Sequence, residues 1–292
     1  MARANRRPLC ADLSRDAAEP LSATASRVEH WLLVEHRGPW ARDLLAASSL
    51  PPGAKERVAA ELAGRRFSRL VFVRRPGRGR RGFRVFYAHS GERERQLVSW
   101  EVESYTDLTH LDLAGGAPVD HPLFLVCTHG KRDRCCAVYG SPLYASMAEA
   151  VEPESLWQCS HVGGDRFAGN VVVLPDGVYY GRVTDGDVEA IVARRLAGEL
   201  HLPSYRGRSC HSFPEQAAEG HVRERTGALG LDDVAVVESR RADGGWLVVI
   251  EADRLYEVEV ADERGELTYL TCDSPALARP RRFRATSLRP LR

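Results

Sequence analysis

The chain has 292 residues, of which 43% are hydrophobic and 28% charged, and its formal net charge at pH 7 is +1. This composition is typical of a globular protein and argues against a disordered or fibrous chain. The near-neutral charge gives no overall attraction to nucleic acid or membrane, so neither is expected as a partner. The length predicts two or three compact units. No apolar segment follows the basic opening residues, and no apolar stretch is long enough to cross a membrane, so a cytoplasmic location is expected.

All basic residues except Lys55 and Lys131 are arginines, so a basic run carries little information in this chain. The arginine-rich stretch from Arg74 to Arg84 could bind phosphate, but a solvated hairpin loop is the favoured interpretation. The closing arginine-rich segment, residues 279–292, is interpreted as a basic tail.

The first unit, residues 1–115, has the pattern of an α/β module. A compact apolar run predicts a strand over Val28–His36, and helical patterning follows at Trp40–Ala47 and Pro52–Ala63. Three further strands are predicted at Arg69–Arg75, Phe83–Ser90 and Arg95–Ser104.

The second unit, residues 116–203, repeats this order. Strands are predicted within residues 121–130, 155–161 and 170–183, and the last of these is split by a Pro-Asp-Gly turn at 175–177. Between the first two strands lies a helical stretch, residues 135–151. Its Gly140 and Pro142 indicate that the helix either starts near Ser141 or follows a short turn. A final helix begins at Thr184–Asp187, where a threonine and an acid can cap its first turn.

The third unit, residues 204–292, changes character. One helix is predicted at 213–227, followed by four short alternating strands at 234–240, 245–252, 255–261 and 267–272. The whole chain is therefore predicted to be an α/β protein, with two related β-α-β-β-β modules in tandem and a small C-terminal α+β domain.

Four of the seven cysteines fall between residues 127 and 159. In a chain without an export signal, such clustering indicates metal or redox chemistry and not a disulfide framework. Cys127 ends a predicted strand, and Cys136 follows after eight residues. A second polar group, Cys159, His161 and Asp165, ends a later strand. Two loops that bring soft ligands together in this order are typical of a metal or iron-sulfur site.

These segments, "CTHGKRDRCCAVYG" and "CSHVGGDRFAGNVVVLPDGVYYGRV" with the N-terminal "CADLSRDAAEPLSATASRVEHWLLVEHRGPW", resemble the sucrase/ferredoxin-like family. Its cluster-bearing module is similar to thioredoxin-like ferredoxins, so the resemblance implies thioredoxin-like modules and a 2Fe-2S cluster. It implies Cys127 and Cys136 as ligands of one iron and His161 as a ligand of the other. The fourth position departs from the family pattern, because Asp165 stands where a second histidine is expected.

A carboxylate is a harder and more anionic ligand than imidazole, so an iron bound by Asp165 should have a lower reduction potential and exchange more readily. Three outcomes remain open: Asp165 binds, Cys159 or Cys135 replaces it, or no cluster forms. Side chains of adjacent cysteines seldom reach one metal, so Cys136, which keeps the family spacing, is favoured as the ligand. Cys135 is then expected to face the core.

The remaining candidates are interpreted as incidental. Cys10, Cys210 and Cys272 are distant from the cluster in sequence, and His129 is expected to be solvated in an exposed loop. The basic stretch at 131–134 could lower the pKa of a thiol or attract an acidic partner.

The leading hypothesis is an electron-transfer or redox-sensing protein that serves an unidentified redox partner protein. It would be a monomer whose tandem modules imitate the dimer of single-module relatives. The alternatives are a metal-free thiol oxidoreductase or thiol sensor, which would use Cys127 with Cys135 or Cys136, and a cluster-free scaffold. The sequence does not identify a substrate and does not show whether a reaction is catalysed. No pair of carboxylates suited to a glycosidase can be singled out either.

Overall fold

The structure is a computed structural model that describes residues 7–76, 81–113 and 115–291. Residues 77–80 of the arginine-rich loop lie outside the described residues. The first half contains α1 (Cys10–Asp16), β1 (His30–Glu35), α2 (Pro52–Ala63), β2 (Ser68–Arg74), β3 (Phe83–Ser90), β4 (Arg95–Val102) and β5 (Ala117–Pro118). The second half contains β6 (Leu123–Cys127), α3 (Arg134–Ala150), β7 (Leu156–Cys159), β8 (Val171–Leu174), β9 (Val178–Tyr180), α4 (Asp185–Leu196) and β10 (Tyr205–Arg208). The C-terminal part contains α5 (Phe213–Thr226), β11 (Ala235–Ala242), β12 (Gly245–Glu251), β13 (Leu255–Arg264) and β14 (Arg281–Pro290).

Ten strands form one sheet in the order β10-β9-β8-β6-β7-β2-β1-β3-β4-β5. In each half, the first strand runs parallel to the second and antiparallel to the third, and the third pairs antiparallel with the fourth. The halves meet where β2 and β7 pair antiparallel. The sheet therefore confirms the predicted α/β class and the tandem β-α-β-β-β modules. Strand β10 comes from the segment assigned to the third unit, and the unit boundaries themselves stay predictions.

Both faces of the central strands are buried, which explains their near-continuous apolar sequence. On the inner face the two modules pack against each other. The ring centroids of Phe86 and Trp157 lie 5.3 Å apart, and those of Trp31 and Tyr179 lie 6.1 Å apart. On the outer face, α2 covers the first module, and α3 and α4 cover the second. The inner core is thus shared between the two modules.

Two predicted elements are wrong. Residues 40–47 form turns and no helix, and in one of these turns the Asp43 carboxylate accepts a hydrogen bond from Ala46 N at 3.1 Å. Residues 267–272 are irregular apart from a single bridge between Thr268 and Ala278, and the fourth strand of the C-terminal sheet is β14, inside the predicted basic tail. Its arginines pair with acidic residues of β13, such as Arg284 Nη2 with Glu263 at 2.6 Å. Opposite charges across the two strands therefore select this register.

No helix among the described residues is both long and apolar enough to span a membrane.

The C-terminal part is joined to the large sheet by a buried ionic network around His211. Its Nδ1 lies 3.1 Å from Glu219 of α5, and its Nε2 lies 3.0 Å from Glu92 in the β3–β4 turn. Arg223 also pairs with Glu219, at 3.1 Å. Burial disfavours the charge on His211, but the surrounding anionic groups outweigh burial and hold its pKa well above the usual value. His211 is therefore a buried cation held between two carboxylates.

Replacement of His211 by glutamine should lower the free energy of unfolding at pH 6 by about 3 kcal/mol, because it removes the cation that Glu92 and Glu219 share and leaves the buried Glu219 with Arg223. The pKa of His211 is raised in the folded state, so its contribution is complete below about pH 6.5 and is lost as pH rises through the folded value. In urea unfolding measured from pH 6 to 10, the difference in free energy of unfolding between the wild type and the variant should become smaller as the pH rises. His221→Gln, in the adjoining helix α5, is the control. An equal loss at every pH would contradict a charged His211.

Candidate metal centre

Cys127 and Cys136 are brought together by a close contact between β6 and α3. Cys127 is the last residue of β6, and Cys136 lies in the first turn of α3. Gly140, one turn later, packs so closely that a Cβ there would overlap the carbonyl oxygen of Cys127. A glycine at this position therefore allows the helix to reach the strand.

Helix α3 begins at Arg134, so the predicted start near Ser141 is wrong. Asp133 caps the helix, and its Oδ1 accepts a hydrogen bond from Cys135 N at 2.9 Å. Pro142 remains inside the helix, where it removes only one backbone donor. The cap at Asp133 therefore decides where the helix begins, and it places both neighbouring cysteines in the first turn.

The loop after β7 carries His161 and Asp165. Its Gly163 and Gly164 have φ angles of 100° and 80°, which favour glycine. The carbonyl oxygen of Val162, between the histidine and the glycines, accepts hydrogen bonds from three side chains. The donors are Arg69, Tyr179 at 3.1 Å and Ser26 at 3.2 Å. The first module supplies two of these three donors and so holds the loop in place.

Behind the glycines lies Arg206, which is fully buried. Its guanidinium donates to Asn170 Oδ1 at 2.8 Å and to the carbonyl oxygen of Gly163 at 3.2 Å. Burial lowers the pKa of Arg206 to about 10, so it remains a cation at neutral pH. A fixed positive charge therefore stands beside the loop that carries His161 and Asp165.

The candidate ligand atoms converge. Those of Cys127, Cys136 and His161 all lie within 4.8 Å of one another. Asp165 Oδ1 lies 3.0 Å from His161 Nδ1 and 3.4 Å from Cys136 Sγ. Cys136 Sγ and His161 Nδ1 are 4.0 Å apart. Two sulfurs, one imidazole and one carboxylate thus share one pocket, and His161, with 20% of its side chain exposed, is the most accessible of the four.

The protonation states of this group are coupled. Burial opposes a charge on His161, but hydrogen bonds to Asp165 and Cys127 outweigh burial and raise the pKa of His161 to about 9. Hydrogen bonds from Cys136 and Cys159 lower the pKa of Cys127. Both shifts favour the same arrangement when no metal is bound, an anionic Cys127 near a cationic His161. A metal ion bound to the imidazole must displace that proton.

Cys159 and His129 lie next to the four candidate ligands. Cys159 is the register partner of Cys127 in the neighbouring strand and is completely buried. The expectation that His129 is solvated is wrong. It is 2% exposed, its ring lies edge-on to Trp40 at 5.8 Å, and its Nδ1 accepts a hydrogen bond from His161 N at 3.3 Å. His129 therefore positions the backbone of His161.

Cys135 points away from Cys127, because adjacent residues of a helix face different directions. Its Sγ lies 3.5 Å from Cys10 Sγ and 3.3 Å from Cys272 Sγ. Together with Asp133, these three cysteines form a second group whose ligand atoms lie within 4.8 Å of one another. The sequence does not reveal this group, because Cys10 and Cys272 lie 125 and 137 residues from Cys135 and no local spacing relates them.

This chain is similar to known proteins over the part that forms most of the large sheet. A family model described as sucrase/ferredoxin-like matches residues 21–207. A protein named "Altered inheritance of mitochondria protein 32" from Meyerozyma guilliermondii is 38% identical over 95 residues, which are 29% of this chain and 34% of that protein. Its namesake from Clavispora lusitaniae is 31% identical over 121 residues, which are 39% of this chain and 44% of that protein. The chain thus spans less than half the length of these curated relatives.

Among solved structures, a thioredoxin-like [2Fe-2S] ferredoxin from Aquifex aeolicus is similar at 23% identity, over 30% of this chain and 91% of that chain, with a TM-score of 0.26.

Replacement of Gly164 by alanine should destabilise the fold more than the same change at Gly198. Both glycines have positive φ, 80° and 74°, so each substitution costs roughly 1 kcal/mol of backbone strain. A Cβ at Gly164 would also collide with the guanidinium of Arg206, whereas one at Gly198 meets no atom within 4 Å. Displacement of a buried donor adds about 1–3 kcal/mol. Equal urea midpoints for Gly164→Ala and Gly198→Ala would show that the position of Arg206 does not require a glycine at residue 164.

Proposed function

Because this chain belongs to the sucrase/ferredoxin-like family, we propose that it is a redox protein that binds a 2Fe-2S cluster through Cys127, Cys136, His161 and Asp165. The observation that carries the proposal is the convergence of the first three ligand atoms within 4.8 Å, with Asp165 in contact with two of them. A bound cluster would supply one-electron transfer.

The donor set fits such a group chemically. Cysteine thiolates are the usual ligands of iron-sulfur clusters, and imidazoles replace two of them in a known variant of the 2Fe-2S type. Here the two sulfurs come from the end of β6 and the start of α3, and the imidazole and carboxylate come from one loop. The two kinds of ligand therefore approach from two sides of the pocket.

Asp165 is the favoured fourth ligand. Its carboxylate already contacts Cys136 and His161, whereas Cys135 faces Cys10 and Cys272. Cys159 is the strand partner of Cys127 and lies beside that cysteine, whereas Asp165 lies beside Cys136 and His161. An anionic carboxylate in place of the family's histidine stabilises the oxidised state and should lower the potential. The buried cation of Arg206 offsets part of that added charge.

Electron exchange is proposed to occur on the side of His161. This residue is 20% exposed, whereas Cys127 and Cys136 are each about 1% exposed. A redox partner protein would therefore approach over the imidazole. Loss of a proton from a ligating imidazole on oxidation would also make the potential depend on pH.

A metal-free thiol protein is the second candidate. Its reactive pair would be Cys127 and Cys136, since Cys135 lies beside Cys10 and Cys272, and the lowered pKa of Cys127 supports this residue as the nucleophile. However, both sulfurs are buried, so exchange with a thiol partner would require the site to open. A cluster-free scaffold is the third candidate.

A cytoplasmic, reducing location is retained as part of the proposal, because the described cysteines are all free thiols. The relatives from Meyerozyma guilliermondii and Clavispora lusitaniae are named for the inheritance of mitochondria, so a mitochondrial location is the competing proposal. Fractionation of cells that express the chain at its natural level would distinguish the two.

Anaerobically purified chain should contain two irons and two acid-labile sulfides at full occupancy, with visible absorption from the sulfur-iron bonds. Cys136→Ser should lose most of this iron, because a hydroxyl is a poor substitute for thiolate. Cys210→Ser is the control, since Cys210 lies outside both cysteine groups. Neither iron nor sulfide after reconstitution would refute the cluster. A reversible disulfide between Cys127 and Cys136 would then support the thiol candidate, and free thiols throughout would support the scaffold.

The role of Asp165 is tested by the reduction potential. Asp165→His should raise the midpoint potential by on the order of 100 mV, because neutral imidazole replaces an anion at the iron. Asp165→Asn, which removes the charge without adding an imidazole, is the matched comparison and should bind less iron. Protein-film voltammetry with unchanged potential and unchanged spectrum in both variants would remove Asp165 from the ligand set.

A further inference from the structure

We propose that Cys10, Cys135, Cys272 and Asp133 bind one Zn²⁺ ion, in a second metal site separate from the pocket around Cys127. The inference does not rest on the cluster, because the two groups share no side chain.

The three sulfurs form a triangle of the size that one ion requires. Their separations are 3.5 Å for Cys10 and Cys135, 3.3 Å for Cys135 and Cys272, and 3.8 Å for Cys272 and Cys10. A tetrahedral zinc site with bonds of about 2.3 Å has sulfur-sulfur edges of roughly 3.8 Å. A disulfide would need about 2.05 Å and would leave the third thiol alone. Three mutual near-contacts therefore point to a shared ion.

Asp133 completes the group. Both of its carboxylate oxygens lie 3.9 Å from Cys10 Sγ. Oδ1 accepts a hydrogen bond from Cys135 N at 2.9 Å, and Oδ2 accepts one from Cys272 N at 2.7 Å. A carboxylate oxygen can accept more than one bond, so each retains capacity for a metal. The same side chain thus fixes the backbone of two cysteines and offers the fourth ligand.

The environment suits thiolates. Cys135 lies in the first turn of α3, where the helix dipole favours an anion. Its sulfur also accepts a hydrogen bond from Ala11 N at 3.4 Å. Cys10 and Cys135 are buried, and Cys272 is partly exposed, so an ion can enter from the Cys272 side. Sheltered thiolates with one open approach are consistent with a structural metal site.

Zinc fits better than the other common ions. Three sulfur donors exclude Ca²⁺ and Mg²⁺, which prefer oxygen ligands. The three sulfur-sulfur separations of 3.3 to 3.8 Å match the edges of a single tetrahedral ion. One tetrahedral ion with mixed sulfur and oxygen ligands is therefore the best match.

The ion would have a structural role. Cys10 begins α1, Cys135 lies in α3, and Cys272 lies in the segment between β13 and β14, so one ion would link three distant parts of the chain. It would also fix the first turn of α3, where the next residue, Cys136, faces the other site.

The test uses the full chain expressed with added zinc and dialysed against metal-free buffer. Plasma mass spectrometry should find one equivalent of zinc in the wild type. Cys272→Ser should lose most of the bound zinc, because a hydroxyl is a poor substitute for a thiolate ligand. Cys136→Ala should lose iron but keep zinc, which separates this site from the proposed cluster, and Cys210→Ser should keep zinc as well.

If Cys272→Ser fails to fold, Cys136→Ala still decides, because this variant lacks one thiolate of the other site. This variant, stripped of zinc and titrated with Co²⁺, should show the intense visible bands of cobalt bound by three thiolates, and Zn²⁺ should abolish them. The proposal is overturned by the absence of both zinc and these bands. It is also overturned by a disulfide within the Cys10 group in peptide mass mapping, or by loss of zinc in Cys136→Ala but not in Cys272→Ser.

Discussion

The antiparallel pairing of β2 with β7 is the contact on which the rest of the structure depends. Only Val73 with Cys159 and Arg74 with Gln158 are paired, yet they join two four-stranded modules edge to edge. An edge strand with unpaired backbone groups is a liability, and here each module covers the other's edge. The junction ends at Cys159, two residues before His161. The loop that carries His161 and Asp165 therefore emerges where the modules meet.

This position explains how the first module, which carries none of the four candidate ligands around Cys127, contributes to that site. Ser26 and Arg69 of the first module donate hydrogen bonds to Val162, and β2 fixes the strand that leads into the loop. Hydrogen bonds of this kind to the residues around a metal site orient the ligands and tune their basicity. In the tandem arrangement the second module carries the candidate ligands Cys127, Cys136, His161 and Asp165, and the first module holds the loop that carries two of them.

The start of α3 is the second organising feature. Asp133 caps the helix, and the two residues after Arg134 point in different directions, Cys136 toward Cys127 and Cys135 toward Cys10 and Cys272. The consecutive cysteines are therefore not redundant. Each belongs to a different group of potential ligands, and the same helix end holds both.

The sequence by itself determined most of the strands, the tandem order of the two modules and the residues of the candidate site. Period-two apolar patterns and turn residues are local signals, so β3 at Phe83–Ser90 and the helix cap at Thr184 could be predicted from nearby residues alone. Cys127, Cys136, His161 and Asp165 were recognisable because they lie at or soon after the ends of two predicted strands, and because the first three keep the spacing of the family that the chain resembles. Only the tertiary structure decided that β14 closes the second sheet, that His129 is buried and that Cys10 meets Cys272. Those contacts join residues far apart in the chain, and they form because packing and charge pairing across the fold outweigh local preference.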